Sequence, residues 1–394
     1  MKLNRKPFVF LFSAAVFLIL FLCSKPVFDK RKIPAKPAKP IPAKRDSFQE
    51  VTLLFAGDVM AHLRQIEAAR TDSFGHYDFS PEFQYVADEI KRADISVVNL
   101  ETTFGGKPYS GYPQFSAPDT LAWFLKNAGF NLIVDANNHA ADRGTKGILG
   151  TINGLNRAGL AHTGTFKDSI ERAKNYPYIL DKKGIRFAFL NYTYGTNNIK
   201  VHPPEIVNYI DTAQIKKDIQ AAKKKKADVI IAVMHWGLEY QRLPNEEQKK
   251  TAKFCLENGI DIVIGSHPHV TQPAYWELYR RNGDTADRKG LVLYSLGNFV
   301  SNQREKYTDG GIIFSFVIKK NRYNKAISVT HPSFLPTWVY IRPAPRSYFI
   351  LPANNLGADT TLVKGPKERA AMLESFKDNE EHIKSVSEGI EEIR

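Results

Sequence analysis

The chain has 394 residues, 43% of them hydrophobic, which excludes a globally disordered protein and allows one large domain or two modest ones. Two cysteines, Cys23 and Cys255, exclude a disulfide framework and a thiolate metal site, so any metal must be held by His, Asn or carboxylate. The net charge of +14 is uneven: residues 1–50 hold eleven Lys or Arg against three acids, a balance of +8, which leaves +6 for the rest.

The basic excess opens the chain. Lys2, Arg5 and Lys6 precede an apolar run from Pro7 to Cys23, and Lys25 follows it, so residues 1–24 are expected to be an export signal or a membrane anchor. No small-x-small cleavage site follows the run. Cys23 is a candidate for lipidation, but the bulky Leu22 before it fits lipoprotein processing poorly. Residues 25–50 are rich in Lys, Pro and Ala and should form an extended, self-repelling linker. A solvated tether is the plainer role for it; a basic juxtamembrane run would also suit anionic lipid or acidic polymer.

The folded domain is expected from Val51. Val51–Phe55 reads as a buried strand, and Gly57-Asp58 as a turn that aims the Asp58 carboxylate out of the strand's C-terminal end, with His62 four residues on. A helical stretch around Phe83–Arg92 leads to a strand at Ile95–Val98, followed by Asn99 and Glu101. A buried Glu at a strand terminus needs a partner, and a cation would serve. A helix at Leu121–Ala128 and a strand at Leu132–Val134 then present Asn137, Asn138, His139 and Asp142. Asn offers a carbonyl oxygen to a metal and the adjacent His a proton, although a polar turn capping the helix from Thr145 would look the same.

The pattern repeats. Gly184–Tyr192 reads as a strand, Thr212–Lys226 as a helix with a solvated lysine end, and Val229–Val233 as a strand that delivers His235, with Glu239 and Tyr240 closing the turn. A helix from Asn245 to Asn258 leads to the strand Ile260–Ile264 and then to Ser266-His267-Pro268-His269. With Pro268 holding the segment extended, both imidazoles should point one way and grip a metal that prefers nitrogen. Beyond it lie a strand and glycine turn bearing Asn298, antiparallel strands at Gly310–Val317 and Ala326–Ile341, and a charged helical tail from Lys367. Polar residues recurring at one edge of a sheet, of these types, suit a two-metal hydrolytic site.

The ordered series GDVM, NLE, NNHAAD-x-G, HWG-x-EY, GSHPHV-x-QP and YSLGNFV, from about Val51 to Pro343, closely resembles the CapA family. These are poly-γ-glutamate capsule biosynthesis proteins within the calcineurin-like metallophosphoesterase superfamily. The resemblance implies an α/β fold, a four-layer αββα sandwich over residues 51–343 with a partly helical extension at 344–394. It implies a membrane-associated or exported domain outside the cytoplasm. Its partners would be an anionic envelope polymer or a phosphoester, with capsule-export membrane proteins beside it, and no nucleic acid.

Carried over by position, the resemblance also implies two divalent metals, Mn, Fe or Zn. Asp58 and His269 would hold the first, Asn138, His235 and His267 the second, and Glu101 would stand where the superfamily has a bridging aspartate. His139, with Asp142, would be catalytic; His62, Asn99 and Asn298 are possible additions. Met60 occupies the place of the superfamily's first-motif histidine, for which His62 would have to compensate. Three functions follow: a metal-dependent envelope hydrolase or transferase, a non-hydrolytic accessory of polymer export, or a phosphatase for small molecules. The third would call for extra cations in the motifs, where Arg143 alone stands.

Overall fold

The computed structural model describes residues 47–355, 362–387 and 389–393; the expected anchor at 1–24 and nearly all of the linker lie outside them. Among the described residues no helix is long and apolar enough to cross a membrane.

Strands β1 (Phe48–Val59), β2 (Ile95–Leu100), β3 (Leu132–Val134) and β4 (Ala161–Thr163) pair in parallel. They are joined by helices α1 (Leu63–Ala69), α2 (Ser80–Phe83), α3 (Ala87–Arg92), α4 (Leu121–Ala128) and α5 (Gly144–Ala158). The single helix expected at 83–92 is broken between α2 and α3. Phe83 and Val86 both enter the core, and the turn between them lets the chain follow the sheet. A short ribbon pairs β5 (Thr165–Phe166), which precedes α6 (Ser169–Asn175), with a later strand.

A second sheet begins with the hairpin β6 (Tyr178–Lys182) and β7 (Ile185–Thr193). The chain then gives β8 (Ile206–Val207, the ribbon's partner), α7 (Thr212–Lys224), β9 (Val229–His235), α8 (Glu246–Asn258) and β10 (Ile262–Ser266). Helix α8 starts where Asn245 and Gln248 exchange side-chain and backbone hydrogen bonds, and ends at Gly259 with φ of 128°. Next come β11 (Thr271–Tyr279), β12 (Arg288–Leu296) and β13 (Asn298–Val300); the sheet order is β11-β12-β10-β9-β7-β6.

The chain returns to the first sheet with β13, which pairs β1 in parallel, and continues there as β14 (Gly310–Asn321) and β15 (Ile327–Pro343), antiparallel as expected. The segment after 343 adds strands to the larger sheet and a helix beside it. Strand β16 (Arg346–Pro352) pairs along β15, helix α9 (Pro366–Val386) buries Met372, Phe376 and Ile383, and β17 (Glu391–Glu392) pairs β15 at Ser333 and Phe334, on the edge away from β14 that β16 also uses. The long β15 offers unsatisfied backbone groups that these strands meet.

Three apolar clusters lie between successive layers. One includes Phe79, Leu125 and Leu155 against Leu54, Val98 and Ile133 of the larger sheet. A second joins Leu53, Phe55 and Val97 to Phe187, Ile231 and Ile264 across the two sheets. The third sets Leu190 and Val263 against Ile215 and Ile219 of α7 and Leu256 of α8. Alternation along β1 explains this: Leu53 and Phe55 face the other sheet while Leu54 faces helices.

One buried acid stands apart from any site. Glu82 on α2 is pushed up to about 8 by burial. Its raised folded pKa means that its contribution to stability is greatest below pH 4, declines as pH rises toward 8, and is flat above. Glu82→Gln is therefore expected to exceed the wild type by roughly 5 kcal/mol at pH 9 and to lose that advantage by pH 4. Urea midpoints at the two pH values would measure it; equal gains at both would contradict a buried ionisation.

Candidate metal centre

The site lies where the C-terminal ends of parallel strands in both sheets meet. Asp58 on β1 is level with Asn99 on β2 and Asn298 on β13, and His235 on β9 is level with Ser266 on β10. Asp58 stands within the strand and not in a turn after it, because β1 keeps pairing through Val59 across a register shift. Gly57 makes this possible: a Cβ there would lie 1.9 Å from the Gly297 carbonyl oxygen, and the Asp58 amide donates to that oxygen at 3.1 Å.

The two acids are held together by one amide. Asn99 Nδ2 donates to Asp58 Oδ1 at 2.8 Å and reaches Glu101 Oε2 at 3.4 Å, while its own Oδ1 accepts from Asn137 Nδ2 at 3.2 Å. Asn99 is thus a clamp with its oxygen occupied. Glu101 Oε1 is buried without a hydrogen-bond partner, 3.7 Å from His235 Nε2 and 3.8 Å from His269 Nε2.

The histidines arrive from one strand, β9, and one loop, that after β10. His235 Nε2 is 2.7 Å from Asn138 Oδ1, and its Nδ1 is 3.0 Å from Ser266 Oγ. His269 Nδ1 is 3.0 Å from Asn298 Oδ1 and 3.5 Å from Asp58 Oδ2. His267 donates its backbone amide to Asp58 Oδ2 at 3.3 Å, and its Nδ1 is buried without a partner. The loop is not extended as expected: His267 has φ of 101° and His269 of 58°, both left-handed. A tight turn after β10 is needed to bring both rings back onto the carboxylates, at a backbone cost of about 1–3 kcal/mol each.

Two sets of ligand atoms result, Glu101 with His267 and His269, and Asp58 with Glu101 and His235, each set within 4.8 Å. Burial, then neighbouring imidazoles, drives His235 and His267 well below the usual histidine range, so both are neutral and able to ligate. Burial, then Asp58, drives Glu101 well above the carboxylate range. A buried cluster holding two acids and two neutral imidazoles, with the Glu101 Oε1 and His267 Nδ1 atoms left without partners, has the donor set that a divalent cation satisfies.

His139 stands beside this set. Its Nδ1 is 2.8 Å from Asp142 Oδ2, its amide donates to Asn137 Oδ1 at 3.1 Å, and the Phe115 ring meets it edge-on at 4.7 Å. Asp142 Oδ2 also accepts the Phe115 amide at 2.6 Å. His62 does not join either ligand set. Its Nδ1 accepts from the Asn302 amide at 3.2 Å, and burial lowers its pKa to about 4. Met60 is buried near it, so the Asp58 side has no ring nitrogen from the first motif. His62, His139 and His269 share the wall of a cavity of about 470 Å³ with Tyr112, Glu239 and Tyr240.

The sequence reading missed three supports: Ser266 behind His235, Phe115 against His139, and Tyr194, whose ring lies 4.6 Å from that of His267. Ser266 carried a faint signal, as the residue before the His-Pro-His turn. Asn298 is a support rather than an addition to the ligand sets: its Nδ2 donates to Gln303 Oε1 and to the Thr308 carbonyl, which fixes its oxygen on His269. Asn298→Ala is expected to weaken divalent metal binding about 10–100-fold. Competition with a chelator measures it, and unchanged affinity would show that His269 orients itself.

The chain is 29% identical over 298 residues to the capsule biosynthesis protein CapA of Bacillus anthracis, covering 71% of this chain and 67% of that one. It is 31% identical over 279 residues to the PGA biosynthesis protein CapA of Bacillus subtilis strain 168, covering 68% and 67%. Among solved structures, a calcineurin-like phosphoesterase of Bacillus subtilis matches with TM-score 0.42 at 14% identity, over 84% of this chain and 99% of that one. The Haemophilus influenzae NAD nucleotidase matches with TM-score 0.46 at 13% identity, over 85% and 61%. A family model described as bacterial capsule synthesis protein PGA_cap matches residues 52–303, and the chain belongs to that family.

Proposed function

We propose that this chain is an exported or membrane-anchored capsule protein whose αββα sandwich carries a metal-dependent hydrolase site. It would act on a phosphoester or on the anionic polymer during its synthesis, export or anchoring. The observation that carries this reading is Glu101 Oε1: buried, without a hydrogen-bond partner, and facing Nε2 of both His235 and His269 at under 4 Å. No packing role needs a carboxylate there, whereas a divalent-cation site would use one as a ligand.

Asp58, Glu101, Asn138, His235, His267 and His269 would hold two divalent ions, Mn, Fe or Zn by donor type. Bound there, the ions would supply Lewis acidity toward the scissile group. The chain's own residues do the rest. Asn99 keeps the two carboxylates in register, Asn298 and Ser266 orient the imidazoles, and Asp142 fixes His139 through Nδ1, so that Nε2 is the atom that gives a proton to the leaving group. With Met60 in the place of a histidine and His62 engaged by Asn302, the Asp58 side is a ligand poorer. One ion should therefore bind tightly and one loosely.

His139→Ala tests the catalytic part. Hydrolysis of bis(p-nitrophenyl) phosphate by the metal-supplemented protein should fall about 10²–10⁴-fold, while metal content and melting temperature stay unchanged. Full activity in the variant would remove His139 from the chemistry. No hydrolysis by the wild type, with metal bound, would leave the accessory role in polymer export as the surviving function.

A further inference from the structure

The carboxylate of Glu239 takes no part in the proposed ligand sets or proton transfer, yet it stands at the mouth of the same site. It lies on the turn after β9 and lines the cavity with His139, His269, Tyr112, Tyr240 and Glu305. The turn is rigidly held. Tyr240 sits at φ of 66° with its amide donating to the Pro268 carbonyl at 2.8 Å, and Gln272 Nε2 donates to the Gln241 and Leu243 carbonyls at 2.8 and 3.2 Å. Arg242 ties the same turn to α9 through the Asp378 carbonyl, and it lies 4.0 Å over the Tyr307 ring. A left-handed tyrosine braced on three sides is a fixed feature and not a loose loop end.

The mouth combines opposite properties to the floor. Tyr112, Tyr194 and Tyr240 are large side chains left 76%, 49% and 45% exposed around it, and the Tyr194 and Tyr240 rings lie 4.6 Å from His267 and 6.2 Å from His269. Glu239 and Glu305 are in no ion pair among the described residues. Arg304, the basic side chain on this wall, lies in the field of Asp309, Tyr348 and Glu305. Divalent ions at the floor would attract an anionic group, while tyrosine faces and the carboxylates at the mouth, Glu239 bonded to the Tyr240 hydroxyl and Glu305 accepting from the Arg304 amide, attract a cation and repel a second anion.

Building on the proposed metal site, we infer that Glu239 is a specificity-determining residue that, with Tyr112 and Tyr240, receives an ammonium group of the substrate while the anionic reacting group sits at the floor. The substrate class is then a phosphoester or acyl compound bearing an amine or quaternary ammonium. This is a choice of ligand charge within the site and needs no covalent step.

Equilibrium binding tests it on the full chain loaded with manganese. Phosphocholine and methyl phosphate present the same phosphate to the floor and differ in the cation. Titration calorimetry should find phosphocholine bound roughly tenfold more tightly, as an aromatic contact and an exposed ion pair together allow. Glu239→Gln should abolish that preference without weakening methyl phosphate, whereas Glu239→Asp should keep part of it. Added salt should shrink it in the wild type. Equal affinities, a preference that survives Glu239→Gln, or no binding of either compound overturns the inference. The readout is independent of turnover: a chain that binds with the preference but hydrolyses nothing loses the hydrolase reading alone, and one that hydrolyses without preference loses this one alone.

Discussion

Changing His267 and His269 together to alanine is expected to empty the site of divalent metal. The wild-type protein should purify with, or take up, near-stoichiometric Mn, Fe or Zn; the double variant should lose more than about 100-fold in affinity, since removing groups that merely support a ligand already costs about 10–100-fold. The reason is geometric. His267 and His269 supply two of the three atoms in one ligand set, and His269 Nε2 also faces Glu101 Oε1, which belongs to both sets. Their backbones are held left-handed to do so. The metal-free double variant should therefore be no less stable than metal-free wild type, while the gain in melting temperature on adding metal disappears. Elemental analysis and thermal melts with and without metal measure both. Unchanged metal content would show that the centre is built on Asp58, Glu101 and His235 alone.

Much of this centre was legible as residue types at strand ends. The run Val229–Val233 is apolar throughout and mostly β-branched because its strand is covered on both faces, so it ends visibly at its first polar residue, His235. Helix α4 and strand β3 lie where the pattern put them, since Gly129 marks the boundary with φ of 116°. What could not be read depends on partners distant in sequence. Asp58 stays in its strand because Asn298, 240 positions away, pairs beside it, and the pairing is invisible in the local pattern. Strand β11 begins Thr-Gln-Pro directly after the histidine loop and alternates too weakly to register. The tail reads in the sequence as a helix without a place. Its place comes from single long-range bonds, Thr271 Oγ1 to Asn379 Oδ1 and His382 Nε2 to the Arg242 carbonyl, which no periodicity announces. The roles of Asn99 and Asn298 were open for the same reason. An asparagine oxygen serves a metal or a neighbouring side chain equally well, and only the donor that already occupies it decides.

Glu101→Gln is expected to move metal-free and metal-bound stability in opposite directions. In the metal-free protein the Glu101 carboxyl is buried beside Asp58 with one oxygen unpaired, and burial first, then the Asp58 charge, holds its pKa well above the ordinary range. A raised folded pKa costs stability once the pH exceeds the unfolded value near 4, so at pH 7.5 the acid penalises the metal-free fold. Glutamine keeps the shape and removes that penalty, and the metal-free variant should melt at a higher temperature than metal-free wild type. The metal-bound comparison reverses. Glu101 is the group shared by both ligand sets, and losing its charge removes the strongest attraction that the site offers a divalent ion. At a metal concentration about 1,000 times the wild-type dissociation constant, wild type should gain about 4 kcal/mol from binding and Glu101→Gln only a small part of it. A carboxylate placed here for folding alone would give the other result: the variant would be less stable in both states, and metal would stabilise it as much as wild type. Glu101→Asp separates reach from charge. The side chain is one methylene shorter while Asn99 Nδ2 still spans to Asp58 Oδ1, so its oxygen would fall short of His235 and His269. Metal affinity between wild type and the glutamine variant would show that the length of this side chain, and not only its charge, is fitted to the two histidines.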